Sequence, residues 1–311
     1  MRLARDYAHV RVPATSGNLG PGFDCLGMAH DVWDDVEVRL ITGQTRVTIE
    51  GEGADTLPRD ESHLIIATLK RALDVAGIAY GGFDLHCVNA IRQGRGLGSS
   101  AAAVVAGLML ARGLVDQPEL LSDEVLLTLA TEFEGHPDNA APAIYGGAVV
   151  SWTEKIEEDA PNKPAYVTEE GIVAKAAPIS LSSDIETTLL VPDFELATSL
   201  ARSVLPDEVP HEDASFNVSR TAMLILALQG RTDLLMDATE DRLHQGYRAE
   251  SMQPSADMLT YLRAEGYPVV VSGAGPSLLV FGALDDNMRR IVATKGFIAI
   301  QSQTMRGAYI L

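Results

Sequence analysis

Gly94-Arg95-Gly96-Leu97-Gly98-Ser99-Ser100 is the stretch on which the reading of this chain turns. Its alternating glycines let the backbone bend sharply and come close to a ligand. Phe83–Ile91 before it reads as a strand, and Ala101–Leu114 after it is Ala, Leu, Val or Met on nearly every side. That second pattern predicts a helix buried all round, not a surface amphipath. A glycine-rich turn entering such a helix offers unpaired N–H groups and a positive dipole end, a combination that favours phosphate. There is no Lys between Lys70 and Lys155, so a P-loop ending in Gly-Lys-Ser/Thr is excluded and the cradle must do without an ammonium. A dinucleotide fold would close a second strand with an acid about 20 residues on; here that stretch is still helix and its exit at Pro118. A bare strand-to-helix turn with Ser99 as its N-cap would explain the serine but not the run of glycines.

Working outward, Ala8–Pro13 alternates as a strand, and the loop Thr15–Asp24 (TSGNLGPGFD) is dense in turn formers. Asp35–Ile41 reads as a strand with Arg46–Glu50 as its hairpin partner. Leu64–Ala76 has helical spacing stopped by Gly81-Gly82; Asp123–Glu134 gives a second helix and Ala148–Trp152 a further strand. Glu154–Glu170, polar and carrying Pro161 and Pro164, predicts an exposed excursion near a domain boundary. The pattern then begins afresh, with strands at Thr187–Pro192, Val269–Ser272, Leu278–Phe281 and Ile298–Gln301. Helices are expected at Ala197–Leu205, Ser215–Leu228, Asp233–Asp241 and Ser255–Glu265. Without a regular βαβα alternation the expectation is an α+β protein of two domains, residues 1–175 and 176–311, with the seam between Pro164 and Ser183.

With 311 residues, 46% of them hydrophobic, the chain can bury a substantial core, which excludes general disorder. Its 24 Lys+Arg against 43 Asp+Glu leave a net charge of −19, which repels nucleic acid and anionic membranes, so neither is expected as a partner. Apolar runs such as Ala101–Ala111 are too short to span a bilayer, and the opening MRLARDYAHVRV has no apolar signal-peptide core; a cytoplasmic location is expected. Two cysteines, Cys25 and Cys87, can form neither a disulfide framework nor a four-ligand zinc site, and the seven histidines show no HExxH spacing.

GRGLGSSAAA resembles the glycine-rich phosphate loop of the GHMP kinases, small-molecule kinases named for galactokinase, homoserine kinase, mevalonate kinase and phosphomevalonate kinase. PATSGNLGPGFDCLGMA (Pro13–Ala29) is similar to the family's first motif in its homoserine kinase form, and VSGAGPS (Val271–Ser277) to its third. EGHPDNAAPAIYGG (Glu134–Gly147) also resembles the homoserine kinase pattern. The motifs run in order along nearly the whole chain. The resemblance implies an N-terminal ribosomal protein S5 domain 2-like domain that binds ATP and a C-terminal ferredoxin-like α+β domain, with both substrates at their interface. It further implies transfer of the ATP γ-phosphoryl group to the side-chain hydroxyl of L-homoserine, a step of threonine biosynthesis, and a homodimer. A mevalonate-type alcohol acceptor, or a non-catalytic ligand sensor on the same fold, are the alternatives.

Matched residue by residue, the resemblance assigns the phosphates to Gly94, Arg95, Gly96, Leu97, Gly98, Ser99 and Ser100. Mg²⁺ falls to Ser100 with Glu132, or with Glu134 as the alternative, since the link to His136 is short in this chain. Asn18 and Asp24 would take the ammonium end of the amino acid, with His136 nearby; Thr198, Arg202 and Arg248 would meet its carboxylate; Asn139 would orient the attacking hydroxyl. Several relatives place an Asp base four residues after the proline matched by Pro137, where this chain has Ala141, so no side-chain base is expected. Arg92-Gln93 and Gln245-Gly246 stand where prolines are usual in the family.

Overall fold

The computed structural model describes residues 2–157, 166–168 and 170–311. In chain order its elements are β1 (Tyr7–Gly17), β2 (Leu26–Ile41), β3 (Arg46–Gly51), α1 (Leu64–Val75), β4 (Gly82–Asn89), α2 (Ser99–Leu114), α3 (Asp123–Glu134), α4 (Ala140–Tyr145), β5 (Ala148–Lys155) and β6 (Ile172–Ile179). There follow β7 (Thr187–Pro192), α5 (Thr198–Ser203), α6 (His211–Leu228), α7 (Leu235–Ala238), α8 (Gln245–Arg248), α9 (Gln253–Ala264), β8 (Val269–Val271), β9 (Leu278–Phe281), α10 (Asp286–Thr294), β10 (Phe297–Ser302) and β11 (Tyr309–Ile310).

The first sheet runs β11-β1-β2-β4-β3, with β5 pairing one end of β2 and β6 pairing β5. Two expectations are corrected here. Arg46–Glu50 is not the hairpin partner of Asp35–Ile41: β3 lies beyond β4 and pairs with it in parallel, Val47 opposite Leu85 and Ile49 opposite Cys87. A parallel pair needs a crossover, and α1 provides it. The second correction is β6, an eight-residue strand just after the polar run Glu154–Glu170 that the sequence patterns do not mark; the division expected at 175/176 falls within it. That sheet's β6 ends at Ile179 and the second sheet's first strand starts at Thr187, while the chain end returns to the first sheet as β11. Part of the expected excursion, residues 158–165 and 169, lies outside the described residues.

Helix α2 is the spine of the first unit, and twelve of its residues are buried, as its composition requires. Gly107 sets its contact with α1, because a Cβ there would stand 2.1 Å from Thr68 Oγ1 and 2.4 Å from the Ile65 carbonyl. The second sheet, β10-β7-β9-β8, is antiparallel throughout. Numbered by its own strands it is a βαββαβ unit of order 4-1-3-2, the ferredoxin-like arrangement. Its strands alternate between faces: Leu189, Val191, Val270 and Leu279 join the core that includes α6, while Leu190, Val271, Leu278 and Val280 pack with Met258, Leu262, Met288 and Val292 of α9 and α10.

Candidate active site

The Gly94–Ser100 loop is built with its carbonyls turned into protein. The Gly94 carbonyl accepts from Leu196 N (2.8 Å), Arg95 from Ser277 N (3.2 Å), Leu97 from Thr15 N (3.0 Å), and Gly96 from the Ser272 hydroxyl (2.5 Å). A trans peptide points its N–H opposite its carbonyl, so the amides that follow face away from these partners. Among the described residues none of the amides from Gly94 to Ser100 donates to a protein acceptor. All three glycines have positive φ, at 61°, 70° and 67°. Two of them have no room for a side chain: a Cβ on Gly96 would lie 2.3 Å from the Ser272 carbonyl, and one on Gly98 2.0 Å from Thr15 Oγ1. Gly98 is the residue before α2 and caps nothing through a side chain, so Ser99 is the first helical residue and not an N-cap. Arg95 is a fastener: its guanidinium donates to the carbonyls of Pro192, Gln93 and Asp193 and pairs with Glu195 at 3.1 Å, leaving only its backbone to the loop.

A cleft of about 260 Å³ opens from the loop between the two units. It brings together Asn18, Gly94, Gly96, Gly98, Ser99, Ser100, Glu134, His136, Asn139, Thr198, Arg202 and Arg248. Asp24 joins it through Arg202, with which it forms a two-pronged ion pair at 2.8 and 3.2 Å. Glu132 is not there. Residues two apart on a helix point to nearly opposite sides, and Glu132 is paired with Arg71 of α1 at 3.1 Å. Glu134 faces the cleft, where the Ser100 hydroxyl donates to its Oε1 at 2.5 Å. The expectation that set Glu132 ahead of Glu134 is therefore corrected: α3 turns Glu134, not Glu132, toward the loop. Ser122 caps the start of α3 and Gly135 (φ 81°) ends it, which fixes that phase. Burial pushes the Glu134 carboxyl above the usual range, and the Ser100 hydrogen bond only partly offsets this. A half-buried carboxylate beside a hydroxyl and a loop for anions is an oxygen donor set suited to Mg²⁺.

Downstream of α3, Asp138 is buried and accepts from Asn18 N at 2.9 Å and from His136 Nδ1. Burial lowers the His136 pKa and the Asp138 hydrogen bond raises it; the net shift is upward. Asp24, His136 and Asp138 offer ligand atoms within 4.8 Å of one another, an acidic corner with Arg202 already on Asp24. Asn139 is held by the Thr15 hydroxyl at 3.0 Å. Asn18 is more committed than the sequence implies: its amide donates to the Gly273 carbonyl and its oxygen accepts from Asp24 N, so it joins the first motif to the third. Asn18 and Asp24 both sit at positive φ (65° and 55°), which aims the loop into the cleft.

Arg248 is buried and, among the described residues, has no carboxylate partner. Its Nε donates to the Ala201 carbonyl and its Nη1 to His244 Nδ1, and its Nη2 makes no hydrogen bond among the described residues. Desolvation, then the charge of Arg202, lowers its pKa, so an anion in the cleft would be welcome. Phe23 lies under both guanidiniums, at 5.8 Å from Arg202 and 5.7 Å from Arg248, and stacks on His244; sequence reasoning did not single it out. Gln245, where a proline is usual, accepts from Val271 N at 2.6 Å and so anchors α8 to β8 by other means. A second cavity of about 340 Å³ shares Ser99 and Ser100 with the cleft and is lined by Val36, Leu57, Leu64, Ile65, Ala103 and Ala106 among others. Ala141, the residue on which the expectation of no side-chain base rests, is fully buried.

This two-unit fold, with a lysine-free amide loop opening on a hydroxyl–carboxylate pair, defines a small-molecule kinase of the GHMP type. The family of GHMP kinases N terminal domains matches residues 63–147. The homoserine kinase of Corynebacterium glutamicum is 47% identical over 271 residues, 87% of this chain and 84% of that protein. That of Streptomyces avermitilis is 44% identical over 306 residues, 97% and 95% of the two chains. The crystal structure of homoserine kinase from Cytophaga hutchinsonii superposes with a TM-score of 0.79 at 25% identity, covering 99% of this chain and 98% of that one. The chain belongs to the homoserine kinase family.

Proposed function

We propose that this protein transfers the γ-phosphoryl group of ATP to the side-chain hydroxyl of L-homoserine, giving O-phospho-L-homoserine for threonine biosynthesis. The observation that carries the reading is one cleft holding partnerless loop amides, the Ser100–Glu134 pair and the carboxylate-free Arg248. The loop amides and the α2 N-terminus take the phosphates, and the apolar cavity beyond Ser99 takes the nucleoside. Ser100 and Glu134 hold Mg²⁺, which neutralises charge on the phosphates when bound. Arg248, with Thr198 and Arg202, receives the α-carboxylate; Asp24 and the His136–Asp138 corner receive the ammonium. Asn139, steadied by Thr15, orients the hydroxyl.

Phosphoryl transfer is mainly positioning and charge stabilisation. With Ala141 in place of a carboxylate, the hydroxyl proton leaves late in a loose transition state and passes to the phosphoryl oxygens. A mevalonate-type acceptor would leave the acidic corner without an ammonium to bind, and a silent sensor would have no use for an intact Ser100–Glu134 pair. Among the described residues no helix is long and apolar enough to cross a membrane; the opening residues, without an apolar signal core, support a cytoplasmic site of action, and the family resemblance supports a homodimer. ADP release measured with L-homoserine, L-serine, L-threonine and mevalonate as acceptors tests the proposal. Turnover with L-homoserine well above the other three is expected; turnover with mevalonate alone, or none with L-homoserine, overturns it.

A further inference from the structure

Behind the loop, away from the cleft, lies a chain of buried polar side chains that the phosphotransfer scheme does not use. His30 Nε2 is 2.8 Å from the Ser16 hydroxyl, Ser16 is 2.6 Å from the Ser272 hydroxyl, and Ser272 is 2.5 Å from the Gly96 carbonyl. His30, Ser16 and Ser272 are each fully buried. They come from β2, from β1 in the first motif and from the third motif, the two serines standing 256 positions apart.

The direction of every bond follows from its last acceptor. A carbonyl cannot donate, so the Ser272 proton goes to Gly96. Ser272 has one proton, so Ser16 must donate to it; Ser16 has one proton, so His30 must donate to Ser16. The imidazole is thereby fixed as the tautomer with its proton on Nε2, and Nδ1 is left as a bare nitrogen. His30 Nδ1 is indeed a buried atom without a partner among the described residues. Burial also drives the His30 pKa down to about 3, which keeps the ring neutral with a single proton to give.

We infer that His30, Ser16 and Ser272 form a one-way hydrogen-bond relay that positions and polarises the Gly96–Leu97 peptide of the phosphate loop, making them positioning residues for nucleotide binding. Bonds aligned in one direction strengthen one another in a low-dielectric interior. Drawing electron density toward the Gly96 oxygen leaves the Leu97 N–H a better donor to an anion, and the fixed carbonyl holds that amide away from the third motif. A loop that has no lysine gains binding from such a backing.

The inference rests on reading this loop as the nucleotide's phosphate cradle, and two measurements keep the two apart. Direct binding of a non-hydrolysable ATP analogue to the unaltered protein tests the cradle; the relay is tested by variants. Ser272→Ala and Ser16→Ala are expected to raise KM for ATP by about fivefold to tenfold, the worth of one buried hydrogen bond, with KM for homoserine unchanged. His30→Gln, which keeps a donor, should fall closer to the original protein than His30→Leu. Side-chain ¹⁵N NMR should find Nε2 protonated and Nδ1 bare at neutral pH in the unaltered protein, a result independent of whether any alanine variant folds. Equal rises in both KM values, an unchanged KM for ATP in Ser16→Ala while the analogue binds the parent, or a proton on Nδ1 would each overturn the relay.

Discussion

The Ser100 hydroxyl at the start of α2 donates to the Glu134 carboxylate at the last residue of α3, at 2.5 Å. These two helices therefore meet at the mouth of the Gly94–Ser100 loop with an oxygen pair between them. Glu132, one helical half-turn away, spends its charge on Arg71 instead.

Replacing the two acids separates their roles. Glu134→Ala is expected to lower kcat/KM by about a hundredfold and to raise the Mg²⁺ concentration needed for half-maximal rate, the scale of losing a preorganised electrostatic group. Glu132→Ala breaks a partly exposed ion pair, costs about 1 kcal/mol of stability or less, and leaves the Mg²⁺ dependence unchanged. Mg²⁺ titrations of initial rate check both.

Substrate contacts should split by ligand. Arg248→Lys loses the planar fork and its bond to Ala201, and a charge-assisted contact of this kind is worth about 1.5–3 kcal/mol. KM for homoserine should rise at least tenfold while KM for ATP holds. Asp24→Asn should do the same and also free Arg202. Initial-rate kinetics with each substrate varied in turn read the split.

The loop glycines should differ among themselves. Gly96→Ala places a Cβ 2.3 Å from the Ser272 carbonyl at a φ of 70°, whereas Gly94→Ala meets only Glu195 Cβ at 3.3 Å at a φ of 61°. The second change carries the left-handed cost of about 1–2 kcal/mol and presses on the flexible Glu195 side chain at 3.3–3.7 Å; the first adds a backbone collision. Gly96→Ala is expected to abolish nucleotide binding by calorimetry, with Gly94→Ala retaining it in weakened form.

His30 also gives the fold an acid sensitivity. Its folded pKa of about 3 lies below the ordinary value of 6.5, so the unfolded chain takes up a proton that the folded one refuses. The stability this group contributes is complete above pH 6.5 and is lost as pH falls toward 3. The loss runs at up to about 1.4 kcal/mol per pH unit. In urea denaturation between neutral and mildly acidic pH, His30→Gln should lose less stability than the unaltered protein.

Much of this was legible locally. The Gly94–Ser100 turn, α2 and α3 follow from glycine spacing, all-round apolarity and helical spacing, and the motifs point to nearly every residue that lines the cleft. What local patterns could not supply was pairing at a distance. Arg46–Gly51 has the alternation of a strand, and nothing in it says that its neighbour is β4, reached only through α1. The polar run before β6 masked a strand whose partner, β5, is what makes it one. Asp233–Asp241 reads as one helix, yet only Leu235–Ala238 is α-helical, with the Thr239 hydroxyl bonding back to the Leu235 carbonyl at its end. The sequence patterns do not mark short α10, although Asp285 caps it. The resemblance sets Glu132 ahead of Glu134, and the phase of α3 reverses that order. The relay behind the loop joins residues hundreds of positions apart, so no window of sequence contains it.

In the proposed reaction, loop amides with no lysine grip the triphosphate. A crystal structure with a non-hydrolysable ATP analogue and Mg²⁺ tests it most directly. Phosphate oxygens are expected within hydrogen-bond distance of amides between Gly96 and Ser100, with the metal against Ser100 and Glu134. Triphosphate bound elsewhere while the Gly94–Ser100 turn stays empty would contradict it.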